Sequence, residues 1–289
     1  MRGTSVASSP IDTILMSHPG LPAPDPGARL LPEPTGAFLW RQAPWGPVLE
    51  CVALAPIAHH LFTTRDLSPG VGVDADAAWT ALAFHLGLPP SSLHRLDQVH
   101  GCATLVVESD ARRPDENPRA DALVSDRADV ALAVKVADCV PVLLADRAGR
   151  AVAAIHAGWR GAAQGIVMSA VATLGARFGI EPAAIVAAIG PSIGACCYQV
   201  GPEVRAGFDA SAPAPLTSDG IDRWFAPGAG DRLQLDLWQA NRDQLAAAGV
   251  PASSIHVAGL CTACHVDRFF SYRREGKRAG RLLAAIRRR

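Results

Sequence analysis

Three residues near the middle of the chain carry side chains that could share one ion. His100 closes the stretch DQVHG, Cys139 follows Asp138 in VADCVPV, and His156 closes AVAAIHAG. One thiolate and two imidazoles leave a fourth position open on a tetrahedral zinc, as catalytic zinc requires. The three stand 39 and 17 positions apart, so no compact motif unites them. On spacing alone the plainer reading prevails: separate, partly buried His and Cys side chains with their own hydrogen-bond partners. A second metal pattern is Cys261-x-x-Cys264 with His265 beside it. A structural zinc there would want another pair at comparable spacing, and the sequence offers none. GPSIGACC reads as a tight turn at a strand end rather than an anion-binding nest. The signatures H-E-x-x-H, G-x-x-x-x-G-K-[ST] and G-x-S-x-G do not occur.

Arginine is the other chemistry-bearing residue. Arg65 follows FTT, Arg160 sits in GWRG, and Arg273 and Arg274 sit in SYRREG. A guanidinium fork matches phosphate and carboxylate geometry. Arg160, between glycine and tryptophan just past an apolar run, stands out most. The basic end KRAGRLLAAIRRR reads as solvated charge.

These residues need elements to carry them. VALAVKVAD, VPVLLAD and AVAAIHA are three strand-like runs, the last two separated by the turn RAGR. Continuous apolar runs of this length suit strands covered on both faces. PVLECVALAP, HHLFTT, AAIVAAIG and SIHVAGL read as further strands. LHRLDQVHG and CATLVVES read as two short strands pivoting at Gly101. Helices are expected over DADAAWTALAFHLGL, closed by Gly87, and over AAQGIVMSAVATLGARFG, ending near Gly179. DLWQANRDQLAAAG is a third, with Asp236 as N-cap, Gln239 three residues on and Gly249 at the end. Strands and helices alternate, so the class is α/β or mixed α+β, in one compact domain of packed mixed sheets flanked by helices. The domain is expected over residues 36–289. Residues 1–35, rich in Pro, Gly and Ser, are expected to form a tail.

Composition narrows the function classes. Acidic and basic residues balance at 27 each, which argues against a dedicated nucleic-acid binder. The longest apolar candidate for a membrane span, residues 128–145, is broken by Asp129, Lys135 and Asp138. The first residues lack the apolar stretch of a secretory signal, so the expected location is the cytoplasm, without membrane partners. Seven cysteines is an odd count that fits free thiols or ligands in a reducing compartment.

Six stretches occur in one order: DQVHG, ADCVPVLLAD, AAIHAGWRG, IGPSIGACCYQVG, DLWQANRDQL and CTACHVDRFFSYRREGKRAGR. Together they resemble the laccase-domain family, which goes by the names multi-copper polyphenol oxidoreductase, purine nucleoside phosphorylase and peptidoglycan editing factor. The resemblance covers roughly residues 50–289. It implies a zinc held by one Cys and two His, which here match His100, Cys139 and His156. It also implies phosphorolysis of purine nucleosides, chiefly adenosine and inosine, with adenosine deamination and methylthioadenosine cleavage as related activities. In that frame Asp138 is a candidate proton shuttle and Arg65 a candidate catalytic or phosphate-holding group. Gln98, Arg160 and Arg273 are candidates for binding substrate. The glycines of GWRG would let a ligand approach the backbone. One departure stands out: the segment RDLSPGVGVDADAAW, after FTTR, is shorter than the family's loop at this place.

Three rivals accompany this reading. A copper oxidase of phenols would need several His-x-His pairs, and the chain's nine histidines include one adjacent pair, His59 and His60, and no His-x-His. Cu2+ could still displace zinc in vitro, since copper outcompetes zinc at most nitrogen sites. A cysteine hydrolase acting on peptidoglycan precursors would use Cys139 with a nearby His and no metal. A non-enzymatic member would bind a nucleoside or a partner without turnover.

Overall fold

The computed structural model describes residues 30–68, 75–108 and 117–289. The chain divides into two units, Met1–Leu31 and Pro32–Arg289. Most of the expected tail therefore lies outside the described residues, as does part of the shortened segment after Arg65. Pro32 and Thr35, on the tail side of the expected boundary, are tied into the larger unit. The Pro32 carbonyl accepts from Trp40 Nε1, and Thr35 bonds the backbone of Val257 and Ala258.

Fifteen strands and seven α-helices are described. The strands are β1 Phe38–Ala43, β2 Gly46–Cys51, β3 Ala58–Thr63, β4 Leu93–His94, β5 Thr104–Val106, β6 Ala122–Ser125, β7 Ala131–Val136 and β8 Val140–Asp146. They continue with β9 Val152–Ala157, β10 Ile185–Ile189, β11 Gln199–Val200, β12 Phe225–Pro227, β13 Leu233–Leu235, β14 Ile255–Val257 and β15 Leu282–Arg288. The helices are α1 Ala75–His85, α2 Trp159–Ala163, α3 Ile166–Phe178, α4 Pro202–Ser211, α5 Ser218–Asp222, α6 Leu237–Ala247 and α7 Tyr272–Glu275. None of the described helices is long and apolar enough to cross a membrane.

Two six-stranded mixed sheets hold most of the strands. Their orders are β1-β2-β3-β15-β7-β4 and β14-β10-β8-β9-β6-β5, and β11-β13-β12 forms a small antiparallel sheet. The two large sheets pack face to face. Leu132, Val134 and Val136 of β7 meet Leu143 and Ala145 of β8 and Val152 and Ala154 of β9 in one apolar core. The alternate residues Val142 and Leu144 of β8 and Ala153 and Ile155 of β9 point the other way, against Val167, Val171 and Leu174 of α3 and Leu245 of α6. That explains the unbroken apolar runs: β8 and β9 are buried along their whole length because each face has its own cover. On the far side of the first sheet, Ala131, Ala133 and Leu283 pack against Trp79 and Leu82 of α1. The larger unit thus stacks helix, sheet, sheet and helices, and its mixed α+β class, with packed mixed sheets flanked by helices, is what the sequence leads one to expect.

Several local expectations hold. Asp236 accepts from the Gln239 N–H at 2.9 Å and caps α6. Gly179, in the left-handed region at φ 63°, closes α3. Two expectations need correction. The helix expected over AAQGIVMSAVATLGARFG starts later, at Ile166, because Ala162 and Ala163 end a separate short helix opened by Trp159 and Arg160. DQVH is not a strand: only Asp97 makes an isolated bridge, to Arg119. The turn expected at Gly101 instead places a positive φ, 60°, on His100.

Candidate metal centre and its cavity

His156 sits near the end of β9, paired with Pro141 of β8. Cys139 lies in the tight link between β7 and β8, and His100 lies in the irregular stretch between β4 and β5. Strand pairing of β8 with β9 brings Cys139 beside His156, and a buried carboxylate brings His100 to both. That carboxylate is Asp121, which is fully buried just before β6. It accepts from the N–H groups of Val99, His100 and Gly101 at 3.2, 2.9 and 2.7 Å. The same group lies 2.8 Å from His156 Nδ1. With a carboxylate as acceptor, Nδ1 carries the proton and Nε2 faces the other ligands.

The result is one cluster. The ligand atoms of His100, Cys139 and His156 all lie within 4.8 Å of one another. The two imidazole rings stand edge-on, 4.9 Å apart at 83°. A Cβ on Gly158 would meet both Cys139 Sγ and His100 Cδ2 at 3.0 Å, so the closeness of this trio depends on that residue being glycine. A Cβ on Gly161 would meet the Gly101 carbonyl at 2.8 Å. The glycines of GWRG therefore admit the chain's own side chains and backbone. The two described non-glycine residues with positive φ, His100 and Asp138 (84°), both line this site. Local strain at such positions persists only where surrounding contacts enforce it.

Electrostatics favour a cation here. Burial pushes the Cys139 thiol up, but the His156 charge and hydrogen bonds from His100 and His156 outweigh it and bring the group down to about 6. Burial pushes His156 down, but Cys139 and Asp121 raise it to about 9. Asp121 is held below its ordinary value: hydrogen bonds from His156 and the nearby backbone overcome its burial. A thiolate and an imidazole aimed at one point, with the second imidazole alongside, are what a zinc ion replaces a proton to bind. The donor set fits zinc, with three protein ligands and an open side.

The open side faces a cavity of about 650 Å³, a size suited to a small-molecule ligand. Its walls combine the trio with Lys135, Arg273 and Arg281, and with Tyr198 and Tyr272. Burial and the neighbouring Cys139 charge push the Tyr198 phenol well up, so it stays protonated.

The other expected site residues fall in different places. Gln98 lines the cavity, but its amide bonds both backbone groups of Lys135, at 2.8 and 2.9 Å. Asp138 is the cavity's carboxylate and accepts from Thr262 Oγ1 and the Arg273 N–H, each at 2.6 Å. Arg273 reaches the Gln199 carbonyl at 2.8 Å and lies over the Tyr198 ring. Arg65 does not line the cavity. It pairs with Glu275 at 2.8 Å, bonds the Val266 carbonyl and covers the Phe270 ring. Arg160 is exposed, stacked on Trp159, and also outside the cavity wall. Sequence reasoning missed Asp121, Lys135, Arg281 and Tyr198. The signal for Asp121 was a lone acidic residue just before an apolar strand in ADALVS. Lys135, the one charge inside VALAVKV, was read only as a break in a hydrophobic run.

The model of a family described as multi-copper polyphenol oxidoreductase laccase matches residues 64–289. A Bacteroides thetaiotaomicron protein named purine nucleoside phosphorylase is 40% identical over 167 residues, 57% of this chain. That stretch is 60% of the relative, so the alignment spans less than two thirds of its length. Purine nucleoside phosphorylase YlmD of Geobacillus stearothermophilus is 40% identical over 218 residues, 72% of this chain and 76% of that protein. The crystal structure of YlmD superposes with a TM-score of 0.77 at 34% identity, covering 86% of this chain and 98% of that one. A protein named adenosine deaminase RL5, from an unknown prokaryotic organism, is 38% identical over 226 residues, 75% of this chain and 84% of its own.

Proposed function

This chain belongs to the multi-copper polyphenol oxidoreductase laccase family, and on that premise we propose that it is a zinc-dependent purine nucleoside phosphorylase acting on adenosine or inosine. One observation carries the reading: the Cys-His-His trio opens on a cavity that also holds three cationic side chains and two tyrosines. In this reading His100, Cys139 and His156 hold zinc, which when bound supplies a Lewis acid at the cavity wall. Lys135, Arg273 and Arg281 hold the phosphate dianion. Tyr198 and Tyr272 offer faces to the purine and ribose.

In phosphorolysis a phosphate oxygen bonds to the anomeric carbon while the carbon–nitrogen bond breaks and its electron pair leaves with the purine. The departing base needs a proton or a hydrogen bond. Tyr198, kept protonated, can donate one, and Asp138 is the wall carboxylate placed to move a proton. Gln98 holds the Lys135 segment in place, and Arg65 acts at a distance by fixing Glu275 at the end of α7. Arg160, stacked on Trp159 outside the cavity wall, takes no part in this reading. An odd count of seven cysteines fits a reducing, cytoplasmic setting.

The relative named adenosine deaminase favours a second reading at the same centre, hydrolytic loss of the purine amino group. Chromatography of products from adenosine, with zinc-loaded protein and with or without phosphate, separates the two. Adenine formed only with phosphate is the expected result, abolished in His156→Ala. Inosine formed regardless of phosphate moves the assignment to deamination. No product in either condition overturns both. Activity that survives chelation but not thiol alkylation would instead identify Cys139 as a nucleophile. Copper chemistry on phenols has less support: among the described residues only this one potential metal group contains histidine.

A further inference from the structure

A second group of sulfur ligands lies outside the centre described above. Cys196 and Cys197 occupy the loop after β10, and Cys261 and Cys264 the loop after β14. The two strands are parallel neighbours, and an isolated bridge between Ser192 and Cys261 carries their pairing into the loops. Residues 67 positions apart, Cys197 and Cys264, thereby bring their sulfurs to 3.5 Å, and Cys196 reaches Cys264 at the same distance. All four sulfurs lie within 4.8 Å of one another. The Cys261-x-x-Cys264 motif does have a second pair, but a vicinal one that no x-x spacing reveals.

The separations discriminate between fates for these thiols. Sulfurs bound to one zinc at about 2.3 Å stand about 3.8 Å apart along the tetrahedron's edges. A disulfide would need about 2.05 Å, and all four cysteines are free. The sulfurs stand too close together to enclose a cluster of several irons. Donors already point at two of them: the Gly194 N–H at 3.2 Å from Cys261 Sγ, and the Arg274 guanidinium at 3.9 Å from Cys197 Sγ. Cys196 and Cys264 are exposed, which leaves an entry path for an ion.

We propose that Cys196, Cys197, Cys261 and Cys264 bind a structural zinc, separate from the ion at Cys139. Four sulfur ligands close the coordination sphere, so this zinc holds structure and takes no substrate. What it holds is one wall of the cavity. Tyr198 follows directly on the vicinal pair, Arg273 bonds the Cys197 and Gln199 carbonyls, and Arg274 bonds the Ala263 carbonyl at 3.1 Å.

Elemental analysis of the full chain, prepared with zinc, tests this without reference to turnover. About two zinc ions per wild-type chain are expected, and about one in His100→Ala/His156→Ala. X-ray absorption on that double variant should read four sulfur neighbours at about 2.3 Å. Cys196→Ser/Cys264→Ser should lose about one zinc while keeping the nitrogen-bearing site. Where that variant does not fold, the histidine variant still decides, because its four thiols are intact. Metal-free double-histidine protein with four freely titrating thiols overturns the proposal, as does stoichiometric iron or a disulfide within the group. A failure of the phosphorylase assay leaves these outcomes unaffected.

Discussion

Asp121 satisfies four donors with one carboxylate: three successive N–H groups of the His100 loop and Nδ1 of His156. It sets the backbone of one ligand and the tautomer of another. Asp121→Asn keeps the size but replaces one acceptor oxygen with a donor facing donors. Zinc affinity should fall by roughly 10–100-fold, the usual cost of losing such a partner, read by competition with a chromogenic chelator. Unchanged affinity would remove Asp121 from the site. Gly158→Ala adds a methyl at 3.0 Å from both Cys139 Sγ and His100 Cδ2. It should release zinc more readily than wild type, with little change in urea midpoint. The ligands themselves were visible in the sequence as residue types, but their union was legible only through the family resemblance and not through spacing. Asp121 left only a faint mark, a lone acid before an apolar run, because a buried acceptor has no local pattern of partners: they lie 20 to 35 positions away.

At the scale of elements, the site stands where β7 turns into β8 and β9 ends beside it. The Asp138 backbone bends there at φ 84°, outside the comfortable range for a side chain, and its carboxylate is pinned by Thr262 and Arg273. Helix α6 closes the cavity with Leu237, one residue after its cap. Asp236→Ala removes the bond to the Gln239 N–H and should cost about 1 kcal/mol of stability. Urea denaturation reads that loss, and zinc content should stay at the wild-type value. The strands β8 and β9 and the helices α3 and α6 were legible because period, glycine stops and capping residues act within one element. The DQVH stretch was misread because its residues suit a strand, while Asp121 draws its N–H groups into a loop. Tertiary hydrogen bonds overrode local preference there.

At the largest scale, the two large sheets share one apolar core, and titration of a group buried in that fold costs stability. His60, 4% exposed on β3, accepts the Cys51 N–H at Nε2 (2.8 Å) and faces the Ala58 carbonyl with Nδ1. Burial holds it neutral and lowers it from 6.5 to about 4. The unfolded chain therefore takes up this proton first as pH falls. The stability that neutral His60 contributes is complete above pH 6.5 and drains away toward pH 4. The full swing is about 3 kcal/mol at 1.36 kcal/mol per unit. Urea midpoints measured from pH 7 to 4 should fall less steeply in His60→Gln than in wild type, and equal slopes would sink the assignment. By itself the sequence determined the layered mixed class, the main strands and helices, and the family through six ordered motifs. Apolar periodicity and turn chemistry are local and survive in a one-dimensional reading. Only the tertiary structure decided which residues share a site. It joined Cys139 to His156 through the β8–β9 register, turned Lys135 and Arg281 toward one cavity, and set Cys196 and Cys197 against Cys261 and Cys264. Convergence of that kind depends on strand pairing across dozens of residues, and no spacing rule along the chain records it.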